Sequence, residues 1–205
     1  MDLKENFTQL CASLSGDQQL IHNQWWEIEK KYSEKERYYH NLHHLENMFT
    51  ELEAIKDKIS NFSSISFSVF YHDVIYDAPS KHNEEKSAEL AAMRLQNLNA
   101  DHEIIKVVKA QIIATKTHQL SDDSDTNYLL DADLSILGKD TETYRSYIQN
   151  IRKEYSIYPD LLYKPGRKKV LRHFLELEHI FKTEYFKDKY EMIARDNIKF
   201  ELANL

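Results

Sequence analysis

What most constrains this chain is helical periodicity that recurs almost from end to end. From about Glu34 to Ile59, apolar residues fall at Leu42, Leu45, Met48, Phe49, Leu52, Ile55 and Ile59. These three- and four-residue steps mark one face of a helix. Residues 83–98 repeat the pattern with Ala88, Ala91, Ala92, Leu95 and Leu98, with Asn83 placed as an N-cap. Residues 101–116 open on Asp101 and carry Ile104, Ile105, Val107, Val108, Ile112 and Ile113, a face wide enough to predict a central, buried helix. Further helices fit 125–137, 140–156, 166–182 and 184–202, with helices also in 1–33. Only Ile65, Phe67 and Val69 alternate as a strand would, and a helix over 62–76 fits the same residues and its surroundings better. Three glycines and three prolines leave few turn signals, which favours long helices over a β architecture. The expectation is an all-α, single-domain chain spanning 1–205.

Bulk properties exclude several classes. A hydrophobic fraction of 41% and a charged fraction of 30% belong to a globular protein. No run approaches the roughly 18 apolar residues of a membrane span, and the polar start Met1-Asp2-Leu3-Lys4-Glu5 lacks a signal peptide's apolar core. One cysteine, Cys11, excludes an internal disulfide and a thiolate-rich zinc site, so the cytoplasm is the expected compartment. A net charge of −7 argues against general nucleic-acid binding, which neutralises phosphates with Lys and Arg.

Three polar segments interrupt the apolar pattern: Tyr39-His40-Asn41-Leu42-His43-His44, Tyr71-His72-Asp73 and Asp131-Ala132-Asp133-Leu134-Ser135. Imidazoles and carboxylates among apolar residues are costly to bury unless hydrogen-bonded, paired or bound to metal. Four apart on a helix, His40 and His44 would share a face, and either one suits a metal. His72 and Asp73 diverge by about 100° and can share an ion only in the sector between them. Asp131 and Asp133 point roughly 200° apart, so one of the two faces the ion. Taken singly, each segment is more often a structural hydrogen bond, a cap or a polar face. Together they supply two imidazoles and two carboxylates.

That order, His, then His-Asp, then Asp across helical sequence, resembles the HD superfamily of metal-dependent phosphohydrolases. The wording Tyr39-His40-Asn41-Leu42-His43-His44 and Ala132-Asp133-Leu134-Ser135 is similar to the cyclic-nucleotide phosphodiesterase branch. Closer still are small bacterial HD proteins described as predicted phosphohydrolases. That likeness rests on Arg37-Tyr38-Tyr39-His40, His72 to Asp77, Asn83 to Ala88, Asp131 to Leu134, Arg152-Lys153-Glu154-Tyr155 and Ala194-Arg195-Asp196-Asn197, and spans about 37–197. It implies an HD-domain helical bundle with His44, His72, Asp73 and Asp133 as metal ligands, and His40 as general acid beside a catalytic Asp73. The chain is much shorter than the phosphodiesterases and lacks a counterpart to their purine-gripping glutamine, which argues against a cyclic nucleotide.

Two imidazoles and two carboxylates suit one or two divalent ions among Mn, Fe, Co, Ni and Mg. The implied partner is a small phosphorylated substrate, a nucleotide by class, cleaved by activated water. For the phosphate, Arg37 is expected one turn before His40 on the same helix, and Arg167 at a loop entering a helix (164–169) whose free N–H groups receive an anion. His118, in a Thr115-x-x-His118 segment, is a candidate to line the site, and Asn83 and Glu84 are candidates to orient a ligand. Two other readings fit the residues: a di-iron oxygenase on the same scaffold, using His82 and His118, and a metal-stabilised regulatory module without turnover.

Overall fold

The computed structural model describes residues 2–205, which form ten α-helices with no strand among them. In chain order these are α1 (Leu3–Ala12), α2 (Gln18–Tyr32), α3 (Leu42–Glu53), α4 (Phe62–Tyr71), α5 (Asn83–Asn97), α6 (His102–Ala114), α7 (Ser124–Leu134), α8 (Thr141–Glu154), α9 (Asp160–Glu176) and α10 (Glu184–Asn204). Six begin on an Asp or Asn whose side chain accepts a first-turn amide: Asp2, Asp17, Asn41, Asn61, Asp123 and Asp140. The all-α class expected from periodicity is the class observed, and among the described residues no helix is long and apolar enough to cross a membrane.

The central helix is α4, not α6. Every residue from Ser64 to Tyr71 is buried, and α4 packs against α1, α3, α5, α6 and α7. On α6, Val107 and Ile113 face solvent, so its apolar face is narrower than its composition suggests. Serines let α4 sit in the core: the Ser66 hydroxyl donates to the Phe62 carbonyl, and Ser68 to the Ser64 carbonyl and to Gln111 Oε1. Phe7, Trp25 and Phe49 close around its Phe70 ring. Of the two tryptophans, Trp25 is core and Trp26 is exposed.

Three sequence expectations require correction. The helix expected from about Glu34 begins only at Leu42, because Glu154 Oε1 accepts the amides of Tyr39 and His40, which an α-helix would have bonded internally. Asn83 is not the cap of α5; His82 holds that position, and the Asn83 side chain bridges the amide and carbonyl of Asp77. Finally, 164–169 is no loop: α9 starts at Asp160, with Pro165 inside it and the amides of Leu162 and Tyr163 on the Pro159 carbonyl. Pro165 has no amide to donate to the Leu161 carbonyl, and Leu161 lies at the exposed end of the helix, where that loss is cheapest. The α8–α9–α10 face is then closed where α10 crosses Gly138; a Cβ there would lie 2.4 Å from Tyr190 Cβ.

Candidate metal centre

Four helices deliver their ends to one point. His44 lies in the first turn of α3, His72 caps the C-terminus of α4 with Asp73 next in the chain, and Asp133 lies in the last turn of α7. His118 follows α6 with φ of 50°, a left-handed conformation that turns the chain back towards α7. His44 and His72 are buried. Their Nε2 atoms are 3.2 Å apart; Asp133 Oδ1 is 3.1 Å from His44 Nε2, and Asp73 Oδ2 is 3.1 Å from His72 Nε2. Asp133 Oδ2 lies 2.9 Å from His118 Nε2.

These residues fit a divalent ion. One ligand atom from each of His44, His72 and Asp133 falls within 4.8 Å of the others, compatible with ligands about 2.0–2.2 Å from a shared centre. His72 Nδ1 lies 2.9 Å from the Val69 carbonyl, to which it can only donate. That bond fixes the tautomer and turns the Nε2 lone pair of the neutral ring inward, as metal-ligating histidines require. A lone pair facing a second imidazole and a carboxylate is repulsive unless a cation or a proton lies between them. In the protein alone the proton takes that place: burial disfavours a charged His72, yet Asp73 and Asp133 carry its pKa up to about 9. Burial likewise opposes ionisation of Asp73 and Asp133, and the facing imidazoles hold both below the usual carboxylate range. His44 goes the other way, burial pushing it below its ordinary value.

His40 stands beside this set, in the turn before α3 rather than on it. Its Nδ1 is 2.6 Å from Glu154 Oε2 and its Nε2 faces Asp73 Oδ2 at 4.0 Å. Its ring stacks on Tyr76 at 4.2 Å, and Tyr76 in turn donates to Glu154. Burial alone would lower His40; the hydrogen bond and charge of Glu154 outweigh it and raise the pKa. Glu154, itself buried, is the functional residue that sequence reasoning left unassigned. Its signal was its place in Arg152-Lys153-Glu154-Tyr155, but nothing local could pair it with a histidine 114 positions away.

The remaining candidates divide. His118 reaches the centre through Asp133. Arg167 and Glu84 line the same chamber of about 260 Å³, with the Arg167 guanidinium bound in parallel to both oxygens of Glu201. Arg37 is placed elsewhere: its buried guanidinium donates to the carbonyls of His40, Asp73 and Val74 and so ties the two ligand-bearing turns together. His82 is exposed at the start of α5. Asp131 faces away from the centre, as the 200° divergence requires, and accepts the amides of Lys182 and Thr183 and the Thr183 hydroxyl ahead of α10. The chain matches no protein-family model, no curated protein and no solved structure, so its site is read from its own chemistry.

Proposed function

We propose that this chain is an HD-type metal-dependent phosphohydrolase acting on a small phosphate ester. The observation that carries the reading is the convergence of His44, His72 and Asp133, with Asp73 alongside, next to a histidine whose pKa a buried carboxylate raises. His44, His72, Asp73 and Asp133 would hold a divalent ion, which would supply Lewis acidity at a phosphoryl oxygen and an activated water.

The chain's own residues supply the rest. His40 presents Nε2 to the chamber while Glu154 accepts from Nδ1, so the ring is fixed in place and in tautomer. With its pKa raised by Glu154, His40 is suited to donate a proton to a departing alkoxide as a general acid. Tyr76 stacked on the ring keeps it from rotating, and Arg37 holds the backbone carbonyls of His40 and Asp73 in register. The di-iron oxygenase reading needs more imidazoles, and of its two candidates only His118 lies at the centre. A regulatory module without turnover would have no use for the His40–Glu154 pair.

The test is a metal-supplemented hydrolysis screen over p-nitrophenyl phosphate and nucleotide mono-, di- and cyclic phosphates. We expect turnover with Mn²⁺ or a neighbouring divalent ion, abolished in Asp73→Ala. In Glu154→Gln, kcat should fall by about 10²-fold, with the alkaline limb of the pH profile moved to lower pH because His40, the proposed general acid, loses the carboxylate that raises its pKa. No hydrolysis with any ion, by a protein that binds metal, would end the phosphohydrolase reading.

A further inference from the structure

Beside the chamber lies a second cavity of about 650 Å³ under α8 and α9, walled by Tyr147, Tyr155, Tyr158 and Tyr163. The two spaces adjoin, sharing His40, His118 and Arg167 among their lining residues. Arg152 builds the tyrosine wall: its guanidinium donates to the carbonyls of Tyr155 and Tyr158 and lies 4.6 Å over the Tyr163 ring. Tyr163 is 7% exposed, and its hydroxyl has no hydrogen-bond partner within the protein. A buried phenol ordinarily finds one, so this group is a donor and acceptor left for a ligand. The cavity has the size and the mostly apolar lining, with few polar groups, of a small-molecule site.

Charge narrows the ligand further. Among the described residues, Arg167 is the only arginine or lysine lining either space, and Glu201 already neutralises it through two hydrogen bonds. Asp73, Asp133 and Glu84 line the chamber. Apart from the proposed metal centre and His40, no lining cation is left free to compensate a polyphosphate chain.

We infer that the tyrosine cavity binds an uncharged planar ring, of nucleobase type, on a substrate that bears a single phosphoryl group. The ring stacks against the tyrosines with the Tyr163 hydroxyl on one of its polar edges, and the phosphoryl group reaches the chamber past His40. The placement of the phosphoryl group rests on the phosphohydrolase reading; the ring subsite does not.

Calorimetric titration of the full-length, metal-free protein tests it with adenosine, guanosine, cytidine and uridine, their mono- and triphosphates, ribose and octyl phosphate. At least one nucleoside should bind about ten-fold or more tighter than ribose, as stacking on aromatic rings allows. Tyr163→Phe, which removes one oxygen, should weaken it about 3- to 10-fold. Gly166→Leu supplies a second variant that keeps the fold. Gly166 lines the cavity on α9, and a Cβ there meets no atom within 4 Å. A larger side chain at this helical position should crowd the cavity and cut binding more than ten-fold without lowering the thermal midpoint. Nucleosides binding no better than ribose, an unchanged Tyr163→Phe, or tighter binding of triphosphates or octyl phosphate would overturn the inference. Nucleoside binding without hydrolysis of any ester would sink the phosphohydrolase reading alone; hydrolysis of p-nitrophenyl phosphate without nucleoside binding would sink the ring subsite alone.

Discussion

Asp131 and Asp133 lie two residues apart on α7, and they do opposite things. Asp131 is fully buried and spends both oxygens on the amides and hydroxyl that precede α10. Asp133 turns both oxygens towards imidazoles, those of His44 and His118. An amide cannot give up its proton, so a carboxylate that serves amides has a fixed structural task. An imidazole can lose its proton, and its nitrogen then offers a lone pair to the same point in space. A carboxylate among imidazoles is therefore a place that a proton or a metal ion can occupy in turn.

The comparison breaks most easily at its structural side. Asp131→Ala should cost about 3 kcal/mol of unfolding free energy, because it strips charge-assisted hydrogen bonds from backbone donors. Its folded fraction should still bind metal. A urea melt paired with metal analysis reads both quantities, and loss of metal together with stability would mean that the two carboxylates do not have separate tasks.

A smaller effect is expected at a second structural carboxylate. Glu51 is buried under Lys139, Lys189 and Tyr190. Burial alone would raise its pKa, but those hydrogen bonds outweigh it and hold the group below 4.5. A depressed carboxyl stabilises the fold above its unfolded pKa and loses that contribution as pH falls through its folded value. Stability measured from pH 6 down to pH 3 should therefore decline, and Glu51→Gln should flatten part of that decline. An acid limb identical in the two proteins would remove Glu51 from the structural group.

The smallest effect belongs to the functional carboxylate. In metal-free protein, Asp133→Asn should change stability by about 1 kcal/mol or less, since the facing imidazoles can deprotonate rather than remain buried as unpaired charges. A loss as large as that of Asp131→Ala would make Asp133 a structural ion-pair member.

Much of this was legible in sequence. The 3.6-residue pattern located most of the helices, and the fixed divergence of neighbours on a helix required Asp131 and Asp133 to part. Periodicity did not reveal where α3 begins, because the break at Tyr39 and His40 is imposed by Glu154 from the far end of α8. The same break changes Arg37 from an expected phosphate contact into a buried clamp on the carbonyls of His40, Asp73 and Val74. Width of apolar composition misplaced the central helix: the serines of α4 read as polar, but the buried Ser66 and Ser68 hydroxyls bond their own backbone. Local sequence carries chemistry well and tertiary pairing poorly.

The central claim is that His44, His72, Asp73 and Asp133 hold a divalent ion. Its most direct test is titration of metal-free protein with Mn²⁺, followed by calorimetry, in the wild type, Asp133→Asn and Asp131→Asn. The wild type should bind one or two ions saturably, Asp133→Asn should lose at least about ten-fold in affinity, and folded Asp131→Asn should keep near wild-type affinity. Equal affinity in all three proteins, or no binding by the wild type, would contradict the claim.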